Sequence, residues 1–368
     1  MGEQTPSSRE SKENPIDTLA RLTGGDWKHL RSAREYSPLR RNELQTALSG
    51  LEPTDTSVVV FGSLARDEAT IRSDTDWTLV VDGIAVPEHL DAALEIQRRL
   101  ADITKGPGIE GTFGDLVFSH QILHWIGGED DSNANTTRRM LLLLESKPLG
   151  NPDAWNRVIN NVLSRYIRED RGLWNTERSR RVPHFLLNDI SRYWRIVVVD
   201  LAYKQRTRAN KGYALRSIKL DFSRKLTFVS GLLACYSCHL DIDPIEWQAM
   251  SEGQNPQSLI EHLRANFAMT PLEALAYRLV RYETVFPVAK RLFDSYDKFL
   301  ALMADEQPGR SGQTPREHLD KLAVENLETD DVFQYARQVR QEFGTALREL
   351  FLRPGTELYD LTIEFGVF

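Results

Sequence analysis

The chain has 368 residues, more than one ordinary domain needs, and its 41% hydrophobic and 27% charged residues are those of a soluble globular protein of about two domains. A net charge of -7 argues against a general nucleic-acid coat, which would be basic, and leaves room only for a local basic groove. No apolar run reaches the length of a membrane span and no secretory n-region and h-region open the chain, so the expectation is a cytoplasmic protein with no membrane partner.

Residues 1–14 are polar, rich in Ser, Glu and Lys, and lack periodicity; they read as a disordered tail. From Pro15 to Leu51 the pattern is helical. Leu30, Ala33, Leu39, Leu44, Ala47 and Leu48 recur at mixed three and four spacing, and Ser37-Pro38 is the expected kink or division. Val58 to Phe61 is a continuous apolar run of the kind covered on both faces of a sheet. Gly62-Ser63 follows at once, a turn that lets backbone N–H groups approach a ligand and adds a hydroxyl donor. Asp74 and Asp76 stand at the mouth of the next strand, Trp77 to Val81. Strand side chains alternate, so both carboxylates point the same way. Two carboxylates beside a phosphate-sized turn suit a hard divalent ion, which takes oxygen ligands from acids and substrate phosphates.

Pro87 to Ala101 reads as an amphipathic helix, Thr112 to Ser119 as a third strand with Asp115 near its middle, and His120 to Ile126 as a further helix. Thr136 or Thr137 is the expected N-cap of a helix running to Ser146, with Arg138 and Arg139 in its first turn. An internal pair of these arginines with Asp130, Asp131 or Glu145 is favoured over an anion ligand. The domain boundary is placed at Pro148 to Pro152. Beyond it the segments 155–169, 184–203, 214–238, 259–266, 271–304, 318–325 and 330–352 read as helices, 305–314 as a loop, and 361–368 as a short extended segment packing back.

Within this second half lies a reversal of charge. Eight Lys or Arg and one acid occupy 204–225, and Arg216, Lys219 and Arg224 project from the helix that begins at Ala214. Together with Lys225, such a face suits a triphosphate or an RNA backbone; the alternative is a solvated basic face. Arg192 and Arg195, with Asp189 nearby, read as a buried polar network. Cys235-x-x-Cys238-His239 has the spelling of a haem-attachment motif but continues an apolar helix, so the thiols are read as small hydrophobes. His120 and His124 stand four apart without a third ligand in reach of the spacing.

The ordered combination Phe61-Gly62-Ser63 … Asp74-Thr75-Asp76-Trp77 resembles the signature of the DNA polymerase beta-like nucleotidyltransferase superfamily. SDTDWTLVVDG, FSHQILHWIGG and NTTRRMLLLLES are similar to a branch in which the nucleotidyltransferase domain is followed by helices. FLLNDISRYWR is more distantly similar to the element after the domain of nitrogen-regulatory uridylyltransferases. The resemblance implies an α+β fold, with a small mixed-sheet domain flanked by helices over 15–150 and an all-α domain over 151–368. It implies Gly62 and Ser63 as phosphate residues. Arg66 and Arg72, in the connection between Ser63 and Asp74, are in reach of a triphosphate, Arg66 ahead of the two, against the commoner reading of solvated loop arginines. Asp74 and Asp76 are the implied Mg²⁺ ligands, Mn²⁺ being the alternative ion, and Asp115 is the candidate third carboxylate with Glu110 in reserve. The implied activity is transfer of an NMP from an NTP, ATP included, to a hydroxyl of a protein, RNA or nucleotide. Two alternatives stand beside it: a non-catalytic nucleotide sensor, and a second-messenger or toxin-type enzyme. The last is weakened because Arg66 is followed by Asp67-Glu68 where the cyclic-oligonucleotide synthases carry Arg-Gly-Thr. Neither the oligomeric state nor the acceptor is readable.

Overall fold

The computed structural model describes residues 13–104, 106, 113–174, 180–208, 210–252, 256–282, 285–304 and 312–366. Two helices, α1 (Pro15–Thr23) and α2 (Lys28–Leu48), lead into β1 (Thr56–Phe61), the short α3 (Gly62–Ala65) and β2 (Trp77–Val81). Then come α4 (Pro87–Ile103), β3 (Leu116–Phe118), α5 (Ser119–His124), α6 (Asn133–Leu144) and β4 (Ser146–Pro148). The rest is helical: α7 (Asp153–Glu169), α8 (His184–Thr207), α9 (Tyr213–Lys219), a π-turn at Leu220–Arg224, α10 (Lys225–Leu240), α11 (Pro244–Glu252), α12 (Pro256–Ala268), α13 (Pro271–Leu279), α14 (Phe286–Ala304), α15 (Pro315–Lys321), α16 (Asp331–Phe351) and α17 (Glu357–Leu361). The fold is α+β, as the sequence implied.

The sheet runs β3-β2-β1-β4, with β1 antiparallel to both neighbours and β2 parallel to β3. Every residue of β1 and β2 is buried, because helices cover both faces. Period-two alternation divides the side chains. Val58, Val60, Trp77, Leu79 and Val81 pack beneath α2 and α4, while Val59, Phe61, Val80 and Val117 join α6, α7 and α10. The second of these cores crosses the 148–152 segment without a break, since Val158, Ile159 and Val162 of α7 belong to it. A third core gathers α9, α10, α13, α14 and α16 around the Phe222, Tyr296, Phe299 and Phe343 rings, and takes Ile16, Leu19, Trp27 and Leu30 from the first two helices. No helix among the described residues is long and apolar enough to cross a membrane.

Several local expectations are corrected. The first helical stretch divides at Gly24, left-handed at φ 65° with its N–H on the Ala20 carbonyl, and α2 runs straight through Pro38. The third strand is only Leu116–Phe118, because Gly114 turns the chain at φ 85° just before it. Ser132, not Thr136 or Thr137, caps α6; its Oγ accepts from the Asn135 N–H at 3.2 Å. Removing that hydroxyl in Ser132→Ala should cost about 1 kcal/mol, read as a lower midpoint in urea with an unchanged slope. Residues 146–148 form an edge strand on β1 rather than a helix end. The 271–304 stretch is two helices, 318–325 divides between α15, capped by Thr314, and a 3-10 turn at Val324–Asn326, and α11 and α17 are additional helices. Residues 362–366 close as a π-turn, not an extended segment.

Of the tail, residues 1–12 lie outside the described residues, while Asn14 caps α1 through its side chain on the Ile16 N–H. Most of the 305–314 loop, and Glu110, lie outside them also. Both cysteines are fully buried in α10, where burial pushes the Cys238 thiol up to about 12.

Candidate active site

The Gly-Ser turn and the two aspartates meet. β1 and β2 are antiparallel, so the end of one lies beside the mouth of the other; the Phe61 N–H donates to the Asp76 carbonyl at 3.0 Å. Gly62 then opens α3 at φ 66°, a left-handed conformation that favours glycine. A Cβ built on Gly62 would stand 3.1 Å from Asp76 Oδ2, so the carboxylate packs directly on the glycine. Gly62→Ala should therefore lower stability by about 1 kcal/mol and displace that carboxylate.

Asp74 and Asp76 are both half-buried, and Thr75 between them turns inward. Burial raises the Asp76 carboxyl above the ordinary range; Arg224 draws it down and Asp74 pushes it further up. Arg316, at the start of α15, brings Nη2 within 3.4 Å of Asp74 Oδ1. Lys219 on α9 feels the same cluster. Burial and Arg316 push its amine down to about 8 against the pull of Asp74 and Asp76. Asp74, Lys219 and Arg316 border a cleft of about 1100 Å³ between the β1–β2 connection and the α9 and α15 helices, with Arg208 and Arg216 also in its walls; Gly62, Ser63 and Asp76 stand outside its lining. Asp74 and Arg72 on the sheet side face Arg216, Lys219 and Arg316 on the helical side, with Glu317 and Asp320 among them.

The remaining sequence-derived residues sit as follows. Ser63 is half-buried in α3. Arg66 does not enter the cleft. Its guanidinium is buried between Glu68, at 2.9 Å, and Glu145, at 2.6 Å. Arg72 lines the cleft and pairs with Glu317. Arg216 and Lys219 line it too, but Lys225 pairs with Asp221 at 2.9 Å, away from it. Arg224 turns to Glu145 and draws on Asp76 from there. Asp115 is exposed at the start of β3, with Oδ1 accepting from the Leu116 N–H at 2.7 Å. Among the described residues no group of three or more His, Cys, Asp or Glu side chains is placed to hold a metal ion.

The acid that Asp76 feels after Asp74 is Glu145, at the end of α6. Its oxygens are taken by Arg66, by Arg224 and by the Thr227 hydroxyl at 3.0 Å, so it serves the arginines. Burial alone would raise Glu145, yet Arg224 and Arg66 outweigh it and hold it below the ordinary range. Glu68 completes the network by accepting from the Tyr296 hydroxyl at 2.7 Å. Arg224 belongs to the basic face expected from the sequence, though it turns to Glu145; Arg316, at Asp74, follows a turn-rich segment that gives no sign of it.

Arg139 is fully buried on Asp131, at 2.9 Å, and Asp189, at 2.6 Å, with Arg192 joining Asp131 at 3.1 Å. This is the internal network expected of Arg139 and Arg192; Arg195 is exposed and stands outside it. The His120 and His124 rings lie 4.7 Å apart on the outside of α5.

Two carboxylates with a phosphate-sized turn fit one hard divalent cation whose shell substrate phosphates complete, and the raised Asp76 carboxyl marks a place where positive charge is welcome. Comparison with curated proteins returns no match. Residues 32–124, from within α2 to the end of α5, match the family model described as "Putative nucleotidyltransferase DUF294", which places this part of the chain, both aspartates and the Gly-Ser turn included, in a nucleotidyltransferase-type superfamily.

Proposed function

We propose that the protein transfers an NMP from an NTP to an acceptor hydroxyl with release of pyrophosphate. The observation that carries this reading is the packing of Asp76 on Gly62, two residues from Asp74, which shares a cleft with Arg216, Lys219 and Arg316. Asp74 and Asp76 would hold Mg²⁺ or Mn²⁺. A hard cation there supplies charge neutralisation on the triphosphate. The chain's own residues do the rest. The Gly62-Ser63 turn offers its N–H and hydroxyl donors to the phosphates. Lys219, Arg216 and Arg316 receive the β- and γ-phosphates from the helical side, Arg316 exchanging the Asp74 carboxylate for phosphate oxygens. The acceptor oxygen bonds to the α-phosphorus as the bond to the bridging oxygen breaks; pyrophosphate leaves and solvent takes the hydroxyl proton. The acceptor class is a protein, RNA or nucleotide hydroxyl.

Incubating the protein with each labelled NTP, Mg²⁺ and cell extract tests this. Label on a macromolecule or nucleotide, with matching pyrophosphate release, is the expected result; no release with any NTP would overturn it. One observation favours a second reading, a nucleotide sensor without turnover: no third carboxylate joins the pair among the described residues. That reading expects NTP binding with no pyrophosphate.

A further inference from the structure

We infer that the nucleoside end of the substrate lies in the same cleft against the wall formed by α2 and the end of α4, its base stacked on the Tyr36 ring. The inference rests on the nucleotidyltransferase reading and extends it by assigning a base subsite. The two walls differ in chemistry. One carries Asp74 and the cations, and suits phosphates. The other presents Tyr36, Arg40, Ile103, Thr104, Thr75 and Ala69. Tyr36 is half-buried, packs on the core beneath the sheet, and is the one aromatic side chain lining the cleft among the described residues.

Tyr36 and Arg40 are four apart on α2 and so share a face. The Arg40 guanidinium is fixed, donating to the Ile103 carbonyl at 2.6 Å and to Glu43 Oε2 at 2.8 Å. It therefore offers a held plane rather than a roaming charge. The Thr75 and Thr104 hydroxyls lie 2.8 Å apart and can each donate or accept. A nucleobase has two apolar faces and a polar edge. A flat ring, a second held plane and a pair of adaptable hydroxyls are what such a group needs. The cleft, at about 1100 Å³, also exceeds the roughly 300–1,000 Å³ typical of small-ligand pockets, so a nucleotide seated this way leaves room for an acceptor.

The test is Mg²⁺-dependent binding of the four NTPs and of inorganic tripolyphosphate, by titration calorimetry, to the wild type, Tyr36→Phe, Tyr36→Leu and Asp74→Asn. Melting curves check that each variant folds; leucine keeps the apolar packing while removing the ring face. Tyr36→Leu should weaken NTP binding about 10-fold and leave tripolyphosphate unchanged, and Tyr36→Phe should bind as the wild type does. Asp74→Asn should weaken both ligands. If Tyr36→Leu leaves NTP affinity intact while Asp74→Asn lowers it, the base subsite is wrong and the nucleotidyltransferase reading stands. Equal weakening of NTP and tripolyphosphate by Tyr36→Leu likewise overturns the subsite. A wild type that binds neither ligand removes the underlying reading and the subsite with it.

Discussion

Asp74→Asn combined with Asp76→Asn is expected to lower metal-dependent NTP turnover by roughly 100- to 10,000-fold, the range set by the several kcal/mol that a catalytic cation supplies. The same change should leave the fold intact or make it more stable. Asp76 is a half-buried carboxylate whose pKa is raised, chiefly by burial. Its folded form holds a proton to higher pH than the unfolded chain does. Wild-type stability therefore falls as pH rises from the unfolded value through the folded one, and the lost stability stays lost above it. Asparagine removes that cost. The two readouts should move in opposite directions: turnover collapses while the melting temperature at neutral pH holds or rises. Melting curves and pyrophosphate release on one preparation check both. A double variant that still turns over at the wild-type rate would detach the activity from these acids.

Glu145→Ala should be the most destabilising single change near the site, by about 3–5 kcal/mol, because it leaves buried charge without its partner. Arg66 is buried and keeps only Glu68; Arg224 loses its ion pair, and the Thr227 hydroxyl loses its acceptor. At about 1–2 °C per kcal/mol for a chain of 368 residues, the melting temperature should drop by about 5 °C. Glu145→Gln keeps the volume and one acceptor and should cost less. The pH dependence has the opposite sign to that of Asp76. Arg224 and Arg66 hold Glu145 below the ordinary carboxylate range despite its burial. Its contribution is fully present above the unfolded pKa of about 4.3 and is lost as pH falls through the folded value. Glu145→Gln should therefore flatten the acid limb of the stability profile, measurable by urea unfolding between neutral and acid pH. Because Arg224 bridges Glu145 and the field at Asp76, nucleotide affinity should drop in the same variants.

The sequence alone determined what is local and periodic. An apolar run, a Gly-Ser turn and alternating acids fix two buried strands and the meeting of their ends, because strand alternation and antiparallel pairing leave few other arrangements. The long helices α4, α7, α8 and α16 were legible for the same reason, each carrying an apolar face at helical spacing. Tertiary structure decided what depends on partners far away in the chain. Arg66 reads as a ligand beside the turn, yet Glu145, 79 residues on, draws it inward. Lys225 reads as part of the basic face, yet it pairs with Asp221 and stays out of the cleft, while Arg224 turns to Glu145. Arg316 reaches Asp74 across 242 residues, a contact that packing of α15 against α9 and α14 makes and that no local pattern encodes.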